Sequence, residues 1–186
     1  MTRERSTMAS APARIACAAM LAALAAPAAA EISDVSASAF TASFREEVAA
    51  APDALWQAIA ALPQWWDDGH TWSGRAANMS LELRAGGCWC ERWGDGQQVM
   101  HGEVAMVQPG RVLRVYANLG PLQELPVRGV LTIVTGVQDG RTMLRLTYRV
   151  AGDASAGLDK LAQAVDQVLA HQVRRLKSMA ESGRPG

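Results

Sequence analysis

The chain has 186 residues, 49% of them hydrophobic and 19% charged, with 18 basic residues balanced by 18 acidic ones. That is enough for one domain with a proper core. The lack of a basic surplus argues against nucleic acid as the main partner.

The first element in chain order is a leader. Arg3, Arg5 and Arg14 form a basic lead, Ile15 to Ala26 is an apolar run too short to cross a bilayer, and Ala28-Ala29-Ala30 offers small residues for cleavage. This order reads as a secretory signal peptide over residues 1–30, cut after Ala30, which sends the protein to the periplasm or outside a bacterial cell. Arg14 lies three residues before Cys17 and no apolar stretch precedes it, so Cys17 does not read as a lipoprotein site. Cleavage removes three Arg and one Glu, leaving 15 basic against 17 acidic residues and a net charge of −2. It also leaves only Cys88 and Cys90, in an oxidising compartment. No later run is long and apolar enough to span a membrane.

Residues 31–39 are small and polar and read as a flexible lead-in to a domain over residues 40–182. Phe40 to Val48 alternates as a first strand. Pro52-Asp53 opens a helix through about Ala61, with Leu55, Trp56 and Ile59 on its buried stripe. A short helical turn from Pro63 carries Trp65 and Trp66, and Asp67-Asp68-Gly69 ends it. Strands follow over Met79–Leu83, Cys88–Trp93, the segment after Gly96, and Arg111–Ala117. A two-residue Asp95-Gly96 turn sets Trp93 opposite Gln98, Cys90 opposite His101 and Trp89 opposite Gly102. After a connection over residues 118–126, Val127–Val134 and Thr142–Val150 form a hairpin around Asp139-Gly140, with Leu131, Ile133, Leu144, Leu146 and Tyr148 on the inner face. From about Ser155 the period changes. Leu158, Leu161, Val165, Val168, Leu169, Gln172, Leu176 and Met179 recur at helical spacing, and Asp153 or Ser155 is placed to cap the helix. Residues 183–186 read as a disordered tail.

One strand, two short helices, six strands and a long helix specify an α+β domain. A curved antiparallel sheet of about seven strands wraps the C-terminal helix, the only element large enough to cover its apolar face. On these elements, and on Pro52 to Trp66, Gly86-Gly87 with Trp89, His101-Gly102-Glu103-Val104 and Pro109-Gly110-Arg111-Val112-Leu113, the chain resembles the START-like (SRPBCC, Bet v 1-like, helix-grip) superfamily. Within it the chain is most similar to bacterial proteins of the polyketide cyclase/dehydrase-like or Hsp90-ATPase-activator-homologue-like kind. The resemblance covers roughly residues 40–180 and implies a helix-grip fold. It implies several activities at once, because the superfamily hosts carriers, cyclases, hydrolases and co-chaperone domains. The leader departs from the cytosolic activator pattern, so the co-chaperone role is not carried over.

The densest chemistry lies in Gly86-Gly87-Cys88-Trp89-Cys90-Glu91-Arg92-Trp93. On a strand Trp89, Glu91 and Trp93 share one face, and a carboxylate between two indoles suits a cavity wall. The leading expectation is a small hydrophobic or amphipathic ligand held between sheet and helix by Trp66, Trp72, Trp89, Glu91, Trp93 and Tyr148, without a cofactor, in a monomer or homodimer. The alternative is an acid-base enzyme acting on a polyketide-like or aromatic substrate through Glu91, its pKa raised by the indoles, and His70. A third reading is a protein-interaction module using the outer Arg/Thr face. Cys88, Cys90, His101 and Glu103 fall on one outer face in this register and are metal-ligand types. The other readings of the cysteines are free thiols and redox or intermolecular chemistry, since a disulfide two residues apart is awkward on a regular strand. Phosphate loops, nucleophile elbows and His-Glu-x-x-His motifs are absent from the sequence.

Overall fold

The computed structural model describes residues 31–186, and the leader assigned to residues 1–30 lies outside them. Eight strands form one antiparallel sheet in the order β1-β2-β8-β7-β6-β5-β4-β3. They are β1 (Glu31–Ser36), β2 (Ala39–Val48), β3 (Met79–Leu81), β4 (Cys88–Trp93), β5 (Gln97–Gln108), β6 (Val112–Ala117), β7 (Val127–Gln138) and β8 (Arg141–Gly152). Helices α1 (Pro52–Ala60) and α2 (Leu62–Trp65) follow β2, and α3 (Leu158–Ser182) follows β8. This is the helix-grip arrangement, with one strand more than expected.

Alternation along the strands produces the core. Phe40, Ala42 and Phe44 of β2, Leu131 and Ile133 of β7, and Leu144, Leu146 and Tyr148 of β8 are buried. Arg45, Arg145 and Arg149 point the other way, as the two-residue period requires. The β7–β8 hairpin closes through Asp139 and Gly140, both with positive φ, the conformation a two-residue turn of this hand demands. Pro52 starts α1, and Leu55, Ala58 and Ile59 are buried beneath it, while Trp56 stands at the margin.

Four expectations change. Residues 31–36, read as part of a lead-in, are strand β1, with Ile32 paired to Ala42. Gly157, in the left-handed conformation, is the N-cap of α3, and Asp153 instead caps the 3-10 turn Ala154–Ala156 through the Ser155 N–H. The tail lies back along α3, where Arg175 donates to the Gly186 carbonyl at 2.8 Å and Ser178 to the Arg184 carbonyl at 3.0 Å.

The fourth change decides the site. The β4–β5 turn has three residues, Gly94-Asp95-Gly96, so Trp93 faces Gln97 and Cys90 faces Met100. A bulge between Trp89 and Cys90 restores the register, so that Trp89 faces Gly102 as expected and His101 is the extra residue. A bulge re-aims the side chain it inserts. His101 is therefore buried beside Trp89 rather than on the outer face with Glu103 and the cysteines. Gly102 makes room for β6 rather than for the indole: a Cβ there would stand 2.7 Å from the Tyr116 carbonyl oxygen and 2.9 Å from Ala117 Cβ.

Candidate functional site

Glu91 is wholly inaccessible to solvent. Its carboxylate accepts the backbone N–H groups of Trp72 at 3.1 Å and Ser73 at 2.6 Å, and the third partner is His101 Nε2 at 2.9 Å. Burial pushes the acid toward its neutral form, but hydrogen bonds from Ser73, His101 and Trp72 outweigh it and hold Glu91 below the usual glutamate range. The expected upward shift is thus reversed, because the carboxylate is saturated with donors rather than caged by indoles. Burial also lowers the His101 pKa, and the neighbouring carboxylate opposes this only in part. The pair at neutral pH is an ionised Glu91 accepting from the Nε2–H of a neutral His101. It anchors the segment that follows α2 to β4.

That segment is built by local capping. Asp67 accepts from Gly69 N at 2.8 Å across the turn Asp68–His70, and Asp68 accepts from Ala76 N at 2.6 Å. Trp66 Nε1 donates to the His70 carbonyl at 2.9 Å. The far side is held by α3. Gln172, buried, accepts from Asp67 N at 3.0 Å through Oε1, so its amide nitrogen is the atom 2.8 Å from His70 Nδ1. An amide nitrogen only donates, so His70 Nδ1 accepts and the ring proton sits on Nε2. Asp67 also meets His171 Nε2 at 3.0 Å, which together with the Gly69 N–H and Arg175 keeps its carboxyl below the usual range despite partial burial.

Between these two anchors lies a cavity of about 390 Å³. Trp66, His70 and Trp72 form one wall, and Leu119, Pro121 and Glu124 another. Leu161, Ala164, Val165 and Val168 of α3 supply the floor, and the His101 ring reaches in from β5. Its size and largely apolar lining are those of a small-molecule site. The opposite wall is positioned from behind. Asn118 accepts from Gly129 N at 2.9 Å and donates to the Val127 carbonyl at 3.0 Å, which closes the base of the 118–126 connection.

The structure brings Trp66, Trp72 and His70 to this cavity and places the other predicted residues elsewhere. Trp89 packs edge-on against Trp66, ring centroids 5.0 Å apart, and borders only a void of about 20 Å³ in the sheet–helix core. Glu91 lies behind His101, so its distance from the cavity is bridged by that ring. Trp93 is half-buried at the end of β4, away from the lining. The Tyr148 hydroxyl donates to the Ala117 carbonyl at 2.8 Å and accepts from Leu119 N at 3.4 Å, and burial pushes its pKa far above the tyrosine range. Sequence reading missed His101 as an inner residue, together with Gln172 as a partner of His70 and the 119–124 wall. The one local signal was Gly102 inside a strand, which often marks a bulge.

The four candidate metal ligands do not form a set. Cys88 and Cys90 are joined in a disulfide, and the bulge turns His101 away from Glu103. Two residues of extended strand advance roughly 6.6 Å, whereas the Cα atoms of Cys88 and Cys90 are 5.3 Å apart, a local contraction next to the bulge that permits the bond. Among the described residues no group of three or more His, Cys, Asp or Glu could hold a metal ion, and no helix is long and apolar enough to cross a membrane.

Neither a protein family nor a curated protein matches the sequence. The fold is matched widely among solved structures. A conserved protein of unknown function from Enterococcus faecalis aligns with a TM-score of 0.58 and 14% identity, over 80% of this chain and 75% of its own. CalU16 from Micromonospora echinospora aligns at 0.52 and 15%, over 80% and 78%. DynU16, a putative protein in the dynemicin biosynthetic locus, aligns at 0.54 and 19%, over 78% of this chain and about half (48%) of its own. At these identities the likeness establishes the fold and leaves the chemistry to be argued from the site.

Proposed function

We propose that the protein is an exported START-like domain that binds a small, neutral, largely apolar molecule in the cavity between the 66–72 segment, the 119–124 wall and α3. The observation that carries this reading is the cavity itself, about 390 Å³ of largely apolar space with two imidazoles on its wall. The carboxylates behind the rings are already paired, Glu91 with His101 and Asp67 with His171, which leaves the exposed Glu124 as the one carboxylate in the lining itself. A fold relative in a biosynthetic locus is in keeping with a small-molecule ligand. Export is supported by the leader pattern and by the disulfide, which persists in oxidising compartments.

The test is native mass spectrometry of the protein recovered from the periplasm of an expressing bacterium. The expected result is a chain starting at Glu31 with a co-purifying organic mass that is lost in Ala164→Phe, where a ring fills the floor. A chain that keeps residues 1–30 would remove the export proposal. An empty protein that also fails to take up aromatic ketones or phenols would remove the binding proposal.

A further inference from the structure

The cavity wall carries two imidazoles whose outer nitrogens have opposite characters, and each character is set by a buried neighbour. His101 gives its Nε2–H to Glu91, which leaves Nδ1 with a free lone pair. Among the described residues Nδ1 has no hydrogen-bond partner, and it is not one of the polar atoms sealed away from solvent without one. His70 accepts at Nδ1 from Gln172, which leaves Nε2–H as a donor. Both rings line the same space. A base backed by a buried carboxylate and a neutral imidazole donor form an acid-base constellation, and a neutral imidazole is able to polarise a carbonyl oxygen.

From this geometry we infer that the site catalyses proton transfer at the carbon next to a carbonyl, with His101 as base and His70 as the donor to the carbonyl oxygen. The inference rests on the binding reading above and adds to it a substrate class, enolisable apolar ketones. In the step, the Cα–H bond breaks and its proton joins His101 Nδ1. Its electron pair becomes the C=C bond of an enolate, and the carbonyl π pair moves to oxygen, which accepts a hydrogen bond from the His70 Nε2–H. The imidazolium formed at His101 lies against the Glu91 carboxylate. Return of a proton from His101 to carbon closes the cycle without any oxidant or co-reactant. Gln172 is a positioning residue, because it holds His70 in the donor tautomer.

Hydrogen exchange into three probes, 2-tetralone, phenylacetone and 1-phenylbutane-1,3-dione, tests this directly. Each is incubated with the mature protein in D2O, and loss of the α-proton signal is followed by NMR beside binding measured from tryptophan fluorescence. At least one probe is expected to bind and to exchange about 100-fold or more faster than in buffer. His101→Gln should return that rate to the buffer value with binding changed only a few-fold. Should His101→Gln not fold, His70→Leu carries the same test and should slow exchange of the bound probe about 10-fold or more, beyond any loss of binding. Gln172→Leu should lower the rate less than His70→Leu. Binding with exchange at the buffer rate overturns this inference and leaves the binding reading standing, as does fast exchange that survives both histidine variants. Failure of all three probes to bind overturns this inference, and the binding reading falls with it only if the protein is also recovered empty and takes up no phenol.

Discussion

The space between sheet and α3 is closed at one end and open at the other, along a single helix. Toward the C-terminal half of α3, Val173 and Leu176 meet Ile59, Leu62, Trp65, Leu113, Ile133 and Leu146 and leave only about 20 Å³ unfilled. In the N-terminal half, Leu161, Ala164, Val165 and Val168 face about 390 Å³ of open space. Trp65 and Trp89 fill the first region, whereas opposite Ala164 the wall comes from the 119–124 connection, which its Asn118 and Tyr148 tethers hold to the sheet. One apolar stripe therefore serves as core in one half and as a binding floor in the other.

The contrast can be broken most severely at its closed end. Leu176→Ala should lower unfolding free energy by about 2–5 kcal/mol, since the side chain is fully buried and its neighbours already touch. Denaturant titration measures this, and ligand affinity of the remaining folded protein should be unchanged. Glu91→Gln should cost about 1–3 kcal/mol, because a neutral amide cannot accept from two backbone N–H groups and His101 together. Unlike the core change, it should also weaken ligand binding by loosening the 66–72 wall, which calorimetry with a bound probe reads out.

Acid should act on the same anchor. In the folded protein His101 binds its proton less readily than an ordinary histidine of pKa 6.5, and Glu91 less readily than an ordinary glutamate of 4.5. Below those values the unfolded chain takes up protons that the folded one refuses, so stability is full above about 6.5 and declines as pH falls, first through the histidine and then through the carboxylate. Asp67, also lowered, adds to the second stage, whereas Asp166, raised by burial, opposes it. Thermal melting from pH 8 to 4 should show the decline, and Glu91→Gln should flatten its lower part. The smallest effect on stability belongs to the open end. Ala164→Phe should change unfolding free energy by no more than about 0.5 kcal/mol, because the position is exposed, yet abolish probe binding.

Periodicity, turn residues and helix punctuation were enough to read the α+β architecture from the chain. Alternation placed Leu131, Ile133, Leu144, Leu146 and Tyr148 on the inner face, and Asp139-Gly140 marked its hairpin, since these depend on neighbours two or four residues away. The site depends on events of a single residue. A three-residue turn in place of two, offset by one bulge, carried His101 from the outer face to the inner one, and a slip of one residue exchanges faces. The same distortion brought Cys88 and Cys90 within bonding reach. Partners distant in sequence decided the rest: Gln172 reaches His70 across 102 residues, and Glu91 reaches the Trp72 and Ser73 amides across a loop. The apolar stripe of α3 was visible in the sequence, but which half would be packed and which left open depended on the bulk that other elements bring against it. Hydrophobic spacing states that a face is to be covered, and only tertiary packing determines what covers it.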